Sequence, residues 1–263
     1  MKTICIEELK RIQIEILKEV HEFCLVKGLR YSLAYGTLIG AVRHNGFIPW
    51  DDDIDILMPR PDYEILKREF RHPVLMFVDR DVDSNCYVTF GKIYNSRTIM
   101  REYTDYNCEY GVYIDIFPID GLPNNTYEAI NHYKKMSRMR KLLDFKMVKV
   151  SNTRSFLKNL VLIGGKILLF PFRRKSLQDY VIKLKKKYKY EDSNYVAELS
   201  FGTYKRILPK EVFESYILHR FEGEEFFIIK EYDKYLTSVF GDYMKLPPIE
   251  KRVTHHSFNA YWK

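Results

Sequence analysis

Just after Trp50 the chain reads DDDIDI, which places four aspartates in five positions: Asp51, Asp52, Asp53 and Asp55. The protein as a whole carries a formal charge of +8, so this acidity is a local feature suited to a cation. Alternate residues of a strand share a face. Asp53 and Asp55 would then lie on one side, ~6.5 Å apart at Cα, while Ile54 and Ile56 enter a core. Carboxylates so spaced suit a hard divalent ion, magnesium or manganese in its place, that completes its shell with water and substrate phosphate. Asp51 and Asp52 precede the strand and read as loop residues. A solvated acidic turn has the same composition, so Asp-x-Asp alone leaves both readings open.

Other residues add to the pattern. Asp115 lies inside VYIDIF, where burying a carboxylate among apolar neighbours is costly unless it is paired or metal-bound. Gly36 and Thr37 stand between an expected strand and a helix start, where a missing side chain and free N–H groups let the backbone approach a phosphate. Arg43, His44 and Lys92 are candidate phosphate contacts, with an exposed basic side chain as the plain alternative for each. Trp50 adjoins the acids and can shape a pocket or stack on a base. Near the C-terminus, His255 and His256 compete with Asp115 for the role of general base, since histidine titrates near neutral pH.

These residues need elements to hold them. Apolar positions from Ile6 to Phe23 recur at threes and fours, predicting a helix over residues 4–24 that Gly28 helps to end. A strand is expected from Leu29 to Tyr35, then a short helix capped by Thr37 and ending near Asn45 and Gly46. A second strand is expected from Asp53 to Met58, with a helix from Asp62 to Phe70 whose first turn begins at Pro61. Further strands are read over residues 87–94 and 112–117. Residues 126–190 read as helical and basic, Gly223 to Phe240 as helix, and the tail GDYMKLPPIEKRVTHHSFNAYWK as irregular. The expected organisation is a catalytic core over 1–125, a basic helical accessory region over 126–190, and a C-terminal region, 191–263, returning to the active site.

Composition narrows the classes. At 263 residues with 46% apolar side chains, the chain can bury one substantial core. Its first residues mix charges among apolar positions, unlike a secretory signal, so a cytoplasmic protein is expected. Cys5, Cys24, Cys86 and Cys108 are widely spaced and read as reduced thiols. Between His132 and Lys189 there are 18 Lys or Arg against two acids, Asp144 and Asp179, which leaves the rest of the chain at −8. So basic a block seeks an anionic surface. Within it, LVLIGGKILLFPFRRK is too short and interrupted to span a bilayer. It fits an in-plane membrane-surface element anchored by Arg173, Arg174 and Lys175, or a buried helix.

Gly-Thr at a helix start, Asp-x-Asp on the next strand and a lone Asp on a later strand resemble the polymerase-β type of nucleotidyltransferase. That resemblance implies an α+β fold, a mixed sheet backed by helices, with Asp53, Asp55 and Asp115 at one edge holding two metal ions. The longer text YGTLIGAVRHNGFIPWDDDIDILMPRPDYE, with GVYIDIFPIDGLP and the late GDYMKLPPIEKRVTHH, resembles the LicD family, which includes the fukutin branch. What this implies is transfer of phosphocholine from CDP-choline to a sugar hydroxyl of a teichoic acid, lipopolysaccharide or capsule precursor, releasing CMP. It also implies a lipid-linked acceptor at the inner membrane face, and a place near the active site for the tail that carries Arg252, His255 and His256. A nucleotidyltransferase releasing pyrophosphate, and a non-enzymatic membrane or nucleic-acid binding protein, are the alternatives. No nucleic-acid partner is expected.

Overall fold

The computed structural model describes residues 1–102, 110–147, 155–171, 173–201, 204–253 and 258–263. The chain begins with β1 (Lys2–Ile4), α1 (Ile6–Lys27), β2 (Ser32–Leu33), α2 (Tyr35–His44), β3 (Asp55–Pro59) and α3 (Arg60–Glu69). It continues through β4 (Leu75–Val78), β5 (Gly91–Asn95), β6 (Thr98–Glu102) and β7 (Tyr113–Gly121). Three helices follow, α4 (Thr126–Met147), α5 (Phe156–Leu168) and α6 (Arg174–Lys185). The last elements are β8 (Tyr195–Glu198), β9 (Leu208–Pro209), β10 (Tyr216–Phe221), β11 (Glu224–Ile229), α7 (Tyr232–Phe240) and β12 (Phe258–Trp262).

The central sheet runs β2-β3-β7-β5-β4, with β8 extending along β7 and β9 beyond it. Only β3 and β7 are parallel; the other pairs are antiparallel. The architecture is therefore α+β, a mixed sheet backed by helices. Central β3 and β7 carry the apolar runs ILMP and IDIFPI, as strands covered on both faces should. α1 packs its buried stripe of Leu9, Ile12, Ile16, Leu17, Val20 and Cys24 on this sheet and stops at Gly28, whose φ of 63° a side chain would strain. One apolar core reaches from Ile4 to Ala260. A smaller one, around Tyr133, Met136, Val181 and Leu184, fixes α4 and α6 against Leu122, Ala197 and Leu199.

Several expected boundaries move. The strand after the acidic run begins at Asp55 rather than Asp53, since successive carboxylates repel and suit a loop better than a ladder. Tyr35 is the first residue of α2, not the last of a strand, and Ala34 is the cap in place of Thr37. Residues 224–229 are strand rather than helix: Glu222 and Gly223, with φ of 52° and 84°, make the two-residue turn that matches strand twist. β10 and β11 pair across it from Phe221↔Glu224 to Tyr216↔Ile229. The tail is not wholly irregular, because β12 inserts between β1 and β6. Among the described residues, Cys5, Cys24 and Cys86 are free thiols.

A Cβ added to Gly40 of α2 would run into the backbone carbonyl of Gly46, whereas one on Gly164 meets nothing within 4 Å. Gly40→Ala is expected to lower stability by about 1–3 kcal/mol in urea denaturation. Gly164→Ala should leave it unchanged or raise it.

Candidate functional site

β3 and β7 lie side by side in register, with Asp55 opposite Asp115. On the other side of β7, antiparallel β5 sets Lys92 opposite the same Asp115. Neighbouring strands are ~4.8 Å apart, so the sheet presents a row of Asp55, Asp115 and Lys92. The Lys92 ammonium lies 2.6 Å from Asp115 Oδ1 and 3.4 Å from the centre of the Tyr113 ring. Lys92 is buried, which overturns the reading of it as an exposed base; its ammonium engages a carboxylate within the protein.

The acidic loop closes over the end of this row. The carboxylates of Asp51, Asp52 and Asp53 can bring one oxygen each within 4.8 Å of one another. Asp51 and Asp52 are loop residues, as expected, and Asp53 lies on the loop with them. Asp55 stands next in the chain with its backbone N–H donated to Thr37 Oγ1 at 2.9 Å. Thr37 is buried, so its hydroxyl serves to fix the start of β3 rather than to cap α2. Gly36 lies within the first turn of α2, and the space a Cβ would take there is filled by the Asp51 carboxylate.

Burial pushes the Asp55 carboxyl well above the usual carboxylate range; the charges of Asp53, Asp115 and Asp51 push it further, and Lys92 opposes them. These causes place Asp51, Asp53 and Asp115 each within electrostatic reach of Asp55. Gln13, buried on the inner face of α1, holds loop and sheet together. Its Nε2 donates to the carbonyls of Asp52 at 3.1 Å and Tyr113 at 3.2 Å. Sequence reasoning missed it. The signal was there as a lone amide in the otherwise apolar stripe of α1.

Basic and aromatic groups gather on the loop's other flank. Arg43, at the end of α2, donates through Nη1 to the Tyr243 carbonyl at 2.8 Å and through Nε to His44 Nε2 at 3.0 Å. Arg252 donates to the Pro247 carbonyl at 2.9 Å and sits over the Trp50 ring, 5.6 Å from its centre. Burial and then the positive charge of Arg252 lower the Arg43 guanidinium from its ordinary value; burial and Arg43 likewise lower His44. Two guanidinium groups thus face one field beside the aspartates, an arrangement that suits an anion with several oxygens. The structure brings Arg43, His44, Trp50 and Arg252 together, while His255 and His256 lie outside the described residues.

A family model described as LicD/FKTN/FKRP, nucleotidyltransferase domain, matches residues 28–160. Over 271 aligned residues, 99% of either chain, the sequence is 33% identical to the lipopolysaccharide cholinephosphotransferase LicD of Haemophilus influenzae. Shorter matches are to uncharacterized proteins of Rickettsia typhi, 42% identical over 21% of this chain and 18% of that one, and Rickettsia prowazekii, 48% over 16% of each.

Gln13→Leu keeps the volume but strands two buried carbonyls, and is expected to cost ~2 kcal/mol in thermal or urea unfolding. For Asp55 the folded protein holds a proton that the unfolded chain releases, so its contribution to stability falls as pH rises above the ordinary carboxylate range. In EDTA-containing buffer at neutral pH, Asp55→Asn should therefore melt higher than the parent. The gap should close near pH ~4, where the unfolded-state carboxyl also protonates.

Proposed function

The chain belongs to the LicD family and is a LicD-type phosphotransferase, and from that premise we propose that it moves phosphocholine from CDP-choline to a sugar hydroxyl of a lipid-carried glycan precursor, releasing CMP. The observation that carries the reading is the in-register pair Asp55 and Asp115 beside the clustered Asp51, Asp52 and Asp53, faced by Arg43 and Arg252. The H. influenzae relative, matched end to end, is named for transfer of cholinephosphate on lipopolysaccharide. Teichoic acid and capsule precursors present the same hydroxyl chemistry.

So many carboxylates in one recess fit a divalent ion. Asp53, Asp55 and Asp115 would hold magnesium, or manganese in its place, with Asp51 and Asp52 alongside. When bound, such an ion neutralises pyrophosphate oxygens and acidifies a nearby hydroxyl. The chain's own side chains supply the rest. Arg43 and Arg252 offer planar forks to the phosphates that separate as the bond breaks. The first-turn N–H groups at Gly36, at the N-terminal end of α2 against the Asp51 carboxylate, add the helix dipole there. Trp50 presents an aromatic face already occupied by one cation, Arg252, and stacks on the donor's base or on that guanidinium. Lys92 holds Asp115 in place through their 2.6 Å contact.

In the reaction the acceptor oxygen bonds to the phosphorus bearing choline, the bond from that phosphorus to the bridging oxygen breaks, and CMP leaves with the bridging oxygen. Asp115, or one of His255 and His256, takes the hydroxyl proton. The working place is the cytoplasmic face of the inner membrane, where the basic block meets anionic lipid.

Purified protein incubated with CDP-choline, magnesium and extracted lipid-linked glycans should release CMP and add a phosphocholine mass to the glycan by mass spectrometry, with EDTA stopping both. Asp53→Asn and Asp55→Asn should each lower turnover about a hundredfold or more with the fold intact by circular dichroism. Pyrophosphate in place of CMP would instead mark a nucleotidyltransferase. CMP released only from other CDP-linked donors would reassign the head group.

A further inference from the structure

α5 reads FLKNLVLIGGKIL and buries little of itself. Leu162 is 5% exposed, and Gly165 lies so close to Phe145 of α4 that a Cβ there would strike the ring. Together these fix one side of the helix to the protein. The opposite side carries Leu157, Leu160, Val161, Gly164 and Ile167 at helical spacing, all exposed, with Leu157 at 71% and Ile167 at 69%. Phe170, just past the helix, is 83% exposed. Lys166 falls on another face of α5, and Leu157, Leu160, Val161, Gly164 and Ile167 themselves bring no charge to the stripe. A soluble helix ordinarily turns its polar face to water, and one that presents only aliphatic groups needs an apolar partner.

What surrounds the stripe identifies that partner. Arg173 and Lys175 follow it and are exposed. Lys134, Lys135, Arg138 and Lys141 line the exposed side of α4, to which α5 is fixed. Some of the basic block turns inward, since Lys185 is fully buried with its ammonium on the Thr89 carbonyl and Ser200 Oγ, and Lys186 pairs with Glu64 and Asp81; the exposed bases of α4 and those after Phe170 are the ones beside α5. Beyond Phe170, Pro171 and Arg173 line a mostly apolar notch of 410 Å³ with Met139, Ser176, Leu177 and Tyr180. No helix among the described residues is long and apolar enough to cross a membrane.

We propose that α5 lies in the plane of an anionic lipid leaflet, with Leu157, Leu160, Val161, Ile167 and Phe170 entering the acyl boundary and the flanking Lys and Arg side chains meeting the head groups. This corrects the alternative of a buried accessory helix. It deepens the proposed function, on which it rests for its purpose: a lipid-carried acceptor stays in its membrane and the enzyme comes to it. The test is kept separate from catalysis by omitting donor, acceptor and metal.

Full-length protein is sedimented with vesicles of phosphatidylglycerol mixed into phosphatidylcholine, and with phosphatidylcholine vesicles alone. Binding should favour the anionic vesicles and weaken with salt. Leu160→Glu with Ile167→Glu should reduce it at least about tenfold, as should Ile167→Glu alone in smaller measure, while Val26→Glu, at an 81% exposed position on α1, should not. Arg173→Gln with Lys175→Gln should remove much of the salt sensitivity. Vesicle binding that survives the glutamate variants would overturn the proposal. So would an absence of binding by the parent, or a dimer that the same variants dissociate while vesicle binding persists. Loss of CMP release with intact vesicle binding would count against the catalytic reading alone.

Discussion

Two carboxylates 4 Å apart repel by about 4 kcal/mol at the effective dielectric constant of ~20 found near protein surfaces, and this protein places five of them around one recess. Most of the local architecture answers that repulsion. Asp51, Asp52 and Asp53 stay out of the strand, on a loop whose backbone is tied by Gln13 to the start of β7. Asp55 enters the ladder only with its N–H held by Thr37. Asp115, in the middle of the row, has the Lys92 ammonium against it. Without those restraints the loop could relieve its charge by moving outward. The restraints keep it strained in the electrostatic sense, and the negative field they retain is the one that the proposed cation, and through it a phosphate, would neutralise.

The same reasoning accounts for the far ends of the chain meeting here. Arg252 and the Tyr243 carbonyl come from the last thirty residues, and Gln13 from the first helix. Separation in sequence is bridged by β12, which inserts between β1 and β6 and so ties the two termini into one layer. Positive groups on one flank of the loop and Lys92 on the other leave the aspartates between two basic walls. The site is therefore polarised, a negative centre with positive margins, as a bound pyrophosphate with its cation would require.

Much of this was legible in the sequence because it rests on local rules. The helix of residues 4–24 follows from period, its stop from Gly28, and the end of α2 from Asn45, which takes the left-handed conformation. The grouping of Asp55 with Asp115 was implied by the resemblance to the polymerase-β type of nucleotidyltransferase, and the register of β3 on β7 bears it out. What was not legible depends on partners distant in sequence. Thr37 looked like a cap because hydroxyls often are, but the nearer demand was the N–H of Asp55. Lys92 read as a phosphate contact or an exposed base, and only the register of β5 on β7 reveals its carboxylate. Residues 223–229 read as helix until the positive φ values at Glu222 and Gly223 turned them into a hairpin.

Charge separation along the chain follows the same division of labour in space. Asp55 and Asp115 lie in the central sheet, whose rigidity comes from apolar residues packed on both faces, so their positions are fixed to within the freedom of side chains. The exposed bases lie on helices docked through a small second core, where long side chains could adapt to head groups, as proposed, without disturbing the recess. A protein that bound its donor and its membrane with the same patch would have to desolvate both at once. Keeping the two fields on different elements would let the proposed lipid attachment persist while donor enters and nucleotide leaves, an independence that a transferase acting repeatedly on membrane-carried chains would need.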